Sequence, residues 1–183
     1  MSLEAPAGQI HADLIDKCRQ GDREAHYQLY KLYAKSMYNI GYRIVHSEAE
    51  AEDVLQEAFI SAFRSLDLYR GDASFGSWLK RIVVNKAINV LKRRKTERLP
   101  ENENFDLAEE EWSEGEFPFS FQQVKSAIES LPDGYRAVLS LYLLEGYDHS
   151  EIAEILGITE STSKSQFNRS KRKLREILEG GKI

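Results

Sequence analysis

The sequence predicts an all-α protein of two small helical domains joined by a flexible acidic linker. Wherever the 183-residue chain shows a periodic pattern, its apolar residues recur three or four positions apart, the spacing of one helix face. Residues 100–119 break that pattern and hold eight acidic side chains and no basic one. We therefore expect one domain over residues 1–98, a linker over 99–119 and a second domain, ending in a helix-turn-helix, over 120–183.

Capping residues divide the first domain into four helices. A short helix is expected from Asp13 to Gly21, after which Asp22 can cap a long second helix. Ser47, followed three residues later by Glu50, forms a capping box for the third. Inward positions are expected at Ala25, Leu29, Leu32, Ser36, Met37, Ile40 and Ile44 in the second helix, at Ala51, Leu55, Ala58, Phe59, Ala62 and Leu66 in the third, and at Phe75, Trp78, Leu79, Ile82, Val83 and Val90 in the fourth.

The third helix presents acidic and amide side chains on its outward side. Glu48 and Glu50 lie in the first turn, where the helix dipole alone explains acidic residues. Asp53, Gln56 and Glu57 lie one or two turns further along, where that explanation weakens. These three residues are therefore a candidate protein-binding face.

The loop at residues 67–78 and the helix that follows it form a basic segment. Residues 60–98 hold ten Lys or Arg against three Asp or Glu. The loop adds Tyr69, Arg70 and Phe75, and a positive track beside aromatic rings is typical of proteins that bind unstacked single-stranded bases. The loop also has a GxxxxG outline, but no Lys-Ser or Lys-Thr follows, which excludes a nucleotide phosphate loop.

Residues 148–178 read as a helix-turn-helix. Asp148 and Glu151 form a capping box, Gly157 ends the first helix, and Thr159 can cap a second one that begins near Glu160. The second helix is expected to bury Ser163, Phe167, Ser170, Leu174, Ile177 and Leu178. Its opposite face collects side chains that reach phosphate oxygens or base edges: Ser161, Thr162, Ser165, Asn168, Arg169 and Arg172, with Lys164 on the flank. This pattern favours duplex DNA.

Composition and residue spacing exclude several other classes. The formal net charge is −5, yet residues 164–183 hold seven bases against two acids, so local potential favours a polyanion. The longest apolar run, near residues 137–144, is too short to span a membrane, and we expect no signal peptide. Cys18 is the single cysteine, which fits a reducing cytoplasm.

An enzyme is the alternative from another class. The four histidines are dispersed, and no pair has the spacing of metal ligands on one helix face. The residue types of a catalytic triad occur together at Asp148, His149 and Ser150. Three consecutive residues at a helix cap cannot converge on one substrate atom. We therefore expect no catalytic residue, no metal and no cofactor.

Taken together, the motifs resemble the extracytoplasmic-function (ECF) sigma factors, a two-domain branch of the bacterial sigma-70 family of transcription initiation factors. The resemblance runs from about Leu14 to Leu178. It is carried by AEDVLQEAFISAFRSL (51–66), YRGDASFGSWLKRIVVNKAINVLKRRK (69–95) and LPDGYRAVLSLYLLEGYDHSEIAEILGITESTSKS (131–165), in the family's order and spacing.

The resemblance implies a role for each exposed face. Asp53, Gln56 and Glu57 would dock on the clamp helices of the largest RNA polymerase subunit. The loop and basic helix would melt and hold the minus-ten promoter element through Tyr69, Arg70, Asp72, Phe75, Lys80, Asn85 and Lys86. The second domain would read the minus-thirty-five element as duplex through Thr162, Lys164, Ser165, Asn168, Arg169 and Arg172. The resemblance also implies an anti-sigma factor as a partner.

Two positions depart from the family pattern, and one rival function remains open at this point. The family commonly has an aliphatic residue at the position of Ser163 and an arginine at that of Gln166, so Ser163 is expected to weaken the inward face of the last helix. The rival is a helix-turn-helix regulator that binds operators without polymerase. It leaves the acidic face and the basic loop of the first domain unexplained.

Overall fold

The computed structural model describes residues 11–97 and 118–180. Within these residues the chain forms eight α-helices and one 3₁₀ helix and no strand, which confirms the all-α prediction. The helices are α1 (Ala12–Arg19), α2 (Arg23–Val45), α3 (Glu48–Arg64), the 3₁₀ helix (Leu66–Leu68), α4 (Phe75–Glu97), α5 (Phe121–Glu129), α6 (Asp133–Leu143), α7 (His149–Leu156) and α8 (Glu160–Gly180).

The chain divides into two compact units, residues 1–90 and 91–183. The division falls inside α4, ahead of the boundary predicted at residue 98, and α4 itself runs on to Glu97. The linker predicted over 99–119 lies outside the described residues except for Pro118 and Phe119, so it stays a prediction.

The core of the first unit lies between α2, α3 and α4. Every inward residue predicted for the third helix is buried, and Leu66 is buried within the 3₁₀ helix that follows α3. In α2 the prediction was wrong at Leu32, which is 54% exposed, and at Ser36, because neighbouring helices cover only one side of a long helix. Trp78 and Ile82 of α4 are only half-buried. The buried residues that the sequence pattern missed in this unit include Val45, Val54, Val84, Ala87 and Ile88.

Capping side chains set the helix boundaries, among them the predicted Asp22, Ser47 and Asp148. The side chain of Asp22 accepts hydrogen bonds from the backbone N–H groups of Glu24 and Ala25, at 2.9 and 3.2 Å. Complete capping boxes open α5, with Ser120 and Gln123, and α7, with Asp148 and Glu151. Each box satisfies N–H groups that a helix start leaves without an intrahelical partner.

The second unit packs α6 against α7 and α8. A buried arginine ties the start of α6 to the preceding turn: Arg136 donates to the carbonyl oxygen of Leu131 at 2.7 Å and to Asp133 at 2.6 Å. Burial raises the pKa of Asp133, but hydrogen bonds from two guanidinium groups, Arg136's among them, outweigh it and hold that pKa below its usual value. Asp133 therefore stays ionised beside Arg136 at neutral pH.

Gly157 provides the test of the turn between α7 and α8. Its φ is 71°, so an alanine there would adopt the left-handed conformation, and we expect Gly157→Ala to lower the free energy of unfolding by about 1–2 kcal/mol. Gly134→Ala is the control, because Gly134 lies inside α6 with open space around it and should lose nothing. Urea unfolding measures both. Equal effects would contradict this account of the turn.

Candidate nucleic-acid interface

The turn between α7 and α8 has the geometry of a helix-turn-helix. Gly157 and Ile158 both donate their backbone N–H to the carbonyl oxygen of Ala153, at 2.9 and 3.0 Å. The Thr159 hydroxyl accepts from the backbone N–H of Thr162 at 3.1 Å and so caps α8, as predicted. The start of α8 is therefore fixed relative to α7.

The two faces of α8 separate only in part in their exposure. Ser163, Ser170 and Leu178 are buried on the inward side, and Phe167, Leu174 and Ile177 are half-buried. On the other side Ser161, Lys164 and Arg172 are exposed, whereas Thr162, Ser165, Asn168 and Arg169 are half-buried. The helix thus presents hydroxyl, amide and cationic groups on one continuous face.

Carboxylates of α8 hold two of its outward cations. Lys164 contacts Glu160 at 2.6 Å, and Arg172 lies 4.0 Å from Glu176. The hydrogen bond to Glu160 raises the pKa of Lys164, so this amine stays charged. Both pairs are exposed, and exposed pairs contribute at most about 1 kcal/mol, so a phosphate can replace the carboxylate at little cost.

A polar contact that no sequence pattern indicates joins the two helices on the inward side. Ser163 is 0% exposed, and its hydroxyl lies 3.0 Å from Nδ1 of His149 at the start of α7. The imidazole stacks on Tyr142 at 4.6 Å between ring centroids and meets the Phe167 ring at 5.6 Å. The serine expected to weaken this face therefore has a hydrogen-bond partner held by two rings.

Ser163→Ala tests the contact between α7 and α8. The change leaves the half-buried Nδ1 of His149 without its partner, and we expect the second unit to lose about 1–3 kcal/mol of stability in urea unfolding. Ser126→Ala, at an exposed position in α5 of the same unit, makes the same chemical change as a control and should stay within about 0.5 kcal/mol. A Ser163→Ala loss no larger than that of Ser126→Ala would contradict the assignment.

The predicted minus-ten residues divide into buried rings and exposed polar groups. Tyr69 and Phe75 are 6% and 1% exposed, and their rings meet edge to face at 5.6 Å. In this conformation neither ring offers a free face to a base, because each serves as core beneath the loop. The polar residues lie outside: Arg70, Asp72 and Asn85 are exposed, and Lys80 and Lys86 are half-buried.

The acidic face predicted on α3 is present. Asp53, Gln56 and Glu57 are exposed, while Val54 and Leu55 between them are buried. Glu57 also lies 3.4 Å from the amine of Lys86 on α4. The acidic face and the basic helix of the first unit therefore adjoin.

Residues 11–97 and 118–180 contain neither a candidate metal site nor a candidate membrane span. No group of three or more His, Cys, Asp or Glu side chains is placed to hold a metal ion there. No helix in the same ranges has the length and apolar character needed to cross a membrane.

The second unit carries a helix-turn-helix with a basic outward face. The first unit carries adjoining acidic and basic faces. Together they define a two-domain DNA-binding protein. Residues 29–97 match the family model for sigma-70 region 2, and residues 121–174 match that for sigma-70 region 4. The region 2 match on the first unit decides against a regulator that acts without polymerase.

Sigma factors of two bacteria match most of the chain. It is 30% identical to the RNA polymerase sigma-H factor of Pseudomonas aeruginosa, over 91% of this chain and 92% of that one. It is 34% identical to the ECF RNA polymerase sigma-E factor of Escherichia coli K12, over 86% and 88%. The chain therefore belongs to the ECF group of the sigma-70 family and is an RNA polymerase sigma factor.

A solved structure shows the same fold. The sigma factor RpoE of Bartonella quintana, in complex with the anti-sigma factor NepR, superposes with a TM-score of 0.56 at 21% identity. The match covers 85% of this chain and 98% of that one.

Proposed function

We propose that this sigma factor divides promoter recognition between its two units. The first unit docks on core RNA polymerase and holds the melted minus-ten element, and the second reads the minus-thirty-five element as duplex. The observation that carries the proposal is the pair of adjoining faces on the first unit, acidic on α3 and basic on α4. The second unit adds a helix-turn-helix. A DNA-binding protein that works alone has no need of the acidic face.

The acidic face is the proposed polymerase contact. Asp53, Gln56 and Glu57 would meet the clamp helices of the largest subunit, and their exposure on a helix with a buried opposite side supports this. Because Glu57 pairs with Lys86 across 3.4 Å, polymerase that engages Glu57 would release Lys86 toward DNA. Docking and strand capture would thereby use neighbouring side chains.

The minus-ten element is the proposed ligand of the loop and α4. Extruding a base costs a few kcal/mol, and contacts to the extruded base recover it. Arg70 and Asp72 on the loop, with Lys80, Asn85 and Lys86 on α4, would contact the non-template strand. We assign Tyr69 and Phe75 to the same site as rings that shape the loop from below, since both are buried.

The minus-thirty-five element is the proposed ligand of α8. Amide and guanidinium groups such as those of Asn168 and Arg169 form bidentate hydrogen bonds with base edges in the major groove. Lys164 and Arg172 would contact phosphates, and Thr162 and Ser165 near the start of the helix would contact backbone or bases.

Three further features complete the proposal. The protein makes and breaks no bond itself and uses no cofactor. It acts in the cytoplasm, where polymerase and promoter DNA are found, without inserting in a membrane. The Bartonella quintana RpoE structure contains an anti-sigma factor, and we extend a partner of that class to this chain.

Reversal of charge at Asp53 and Glu57 tests the docking face. Asp53→Lys with Glu57→Lys should abolish binding to core polymerase and promoter-specific transcription, while circular dichroism stays that of the wild type, because both side chains are exposed. Asp13→Lys with Glu24→Lys makes the same change in net charge at exposed positions of α1 and α2 and should leave binding intact. Unchanged polymerase binding in the first variant would remove the assignment.

Glu160→Gln tests the duplex-binding face. The change frees Lys164 and removes a negative charge beside the DNA, so we expect affinity for duplex promoter DNA in the polymerase complex to rise about 1.5- to 5-fold. Fluorescence anisotropy at low salt measures it, and the gain should shrink as salt rises. Glu179→Gln, exposed at the far end of the same helix, is the control. Equal affinities for both variants would count against α8 as the contact.

A further inference from the structure

The loop between the 3₁₀ helix and α4 is held by an arginine from α1, about fifty residues earlier in the chain. Arg19 Nη2 donates to the carbonyl oxygen of Tyr69 at 2.6 Å and lies 3.4 Å from that of Leu66. Its Nη1 donates to Asp16 at 2.8 Å, one turn back along α1. The carboxylate thus orients the guanidinium, while the guanidinium binds the Tyr69 carbonyl at the end of the 3₁₀ helix.

The position of Arg19 is fixed by the packing of α1. Ile15 and Cys18 of this helix are buried, and α1 packs on both α2 and the 3₁₀ helix. The arginine therefore approaches the loop from a rigid base. A side chain on a loose N-terminal segment would not constrain the loop in this way.

The loop is also closed from within. The Tyr69 hydroxyl donates to the carbonyl oxygen of Ala73 at 2.7 Å, and Gly71, with a φ of 81°, turns the chain between them. Arg19 thus holds the backbone of the residue whose side chain closes the loop. The exposed Arg70 and Asp72 stand on a segment that is fixed at both ends before DNA arrives.

We propose that Arg19 is a positioning residue for reading the minus-ten element, an inference that rests on the proposed function of this loop. Residue 19 lies outside the region 2 match at residues 29–97, so the family model assigns it nothing. A loop that is ordered in advance loses less conformational entropy when it captures a base. The smaller entropy loss strengthens contacts that depend on the geometry of the loop, and it leaves the general attraction to phosphates unchanged. Arg19 should therefore affect the preference for particular base sequences.

The test uses the full chain bound to core polymerase, with two probes. One probe is a single strand selected by the wild-type complex from a randomised pool, and the other is oligothymidylate of the same length. The ratio of the two dissociation constants measures sequence preference. Because every complex contains folded factor, a loss of overall stability does not enter the ratio.

We expect Arg19→Ala to lower this ratio about three- to tenfold. Arg19→Lys should recover part of it, since lysine keeps the charge but has no planar fork to bind Asp16 and the Tyr69 carbonyl at once. Asp16→Ala should lower it less than Arg19→Ala, because the guanidinium stays but is no longer oriented. Lys17→Ala, which removes an exposed cation from the same helix, should leave the ratio unchanged.

Two results would overturn the proposal, and they are distinguishable. If the wild-type complex prefers its selected strand and Arg19→Ala keeps that preference, the role of Arg19 is refuted while the function of the loop stands. If the wild-type complex shows no preference for any single strand, the proposed minus-ten function fails and the role of Arg19 fails with it. If Arg19→Ala does not fold, the same ratio of dissociation constants is compared for Arg19→Lys and Asp16→Ala.

Discussion

Burial of one side of each helix decides where the charged side chains of this sigma factor point. On α8, Ser163 and Ser170 are fully buried, and Lys164 and Arg172 are thereby turned to solvent. On α3, buried Val54, Leu55 and Ala58 leave the acidic face outside. The recognition surfaces are thus the outer sides of packed helices, and their geometry is as firm as the core beneath them. Two hydrogen bonds add to this packing: His149 with Ser163, and Arg19 with the Tyr69 carbonyl.

A protein of net charge −5 can still attract a polyanion, because its basic residues are segregated from its acidic ones along the chain. Lys164, Arg172 and Lys86 each lie near a carboxylate of the same unit, at 2.6, 4.0 and 3.4 Å. Exposed pairs of this kind are weak, so in the proposed complex DNA phosphates would replace the carboxylates at small cost. The same pairs lower the positive potential of the free protein and reduce attraction to DNA of arbitrary sequence.

Local chemistry made the helix-turn-helix predictable, whereas long-range contacts were out of reach. The caps at Asp148 and Thr159 and the stop at Gly157 act within a few residues, and each is confirmed. Whether Tyr69 and Phe75 are exposed depends on the residues that pack over them. The sequence pattern does not show that packing, and it therefore predicted rings available to bases. The Arg19 contact spans about fifty residues, and the His149–Ser163 contact joins two helices, so neither leaves a pattern in the chain. The minus-ten, minus-thirty-five and polymerase contacts assigned to single residues remain proposals.

In the function proposed above, one sigma factor bound to core polymerase holds opened and intact promoter DNA at the same time. Footprinting of one promoter complex with permanganate and with DNase tests whether both states of DNA are held together. Permanganate reacts with unpaired thymines, and DNase cleavage reports which duplex is protected. We predict reactive thymines in the minus-ten element together with protection of duplex over the minus-thirty-five element, both dependent on this factor. Protected duplex with no unpaired thymine would contradict the account.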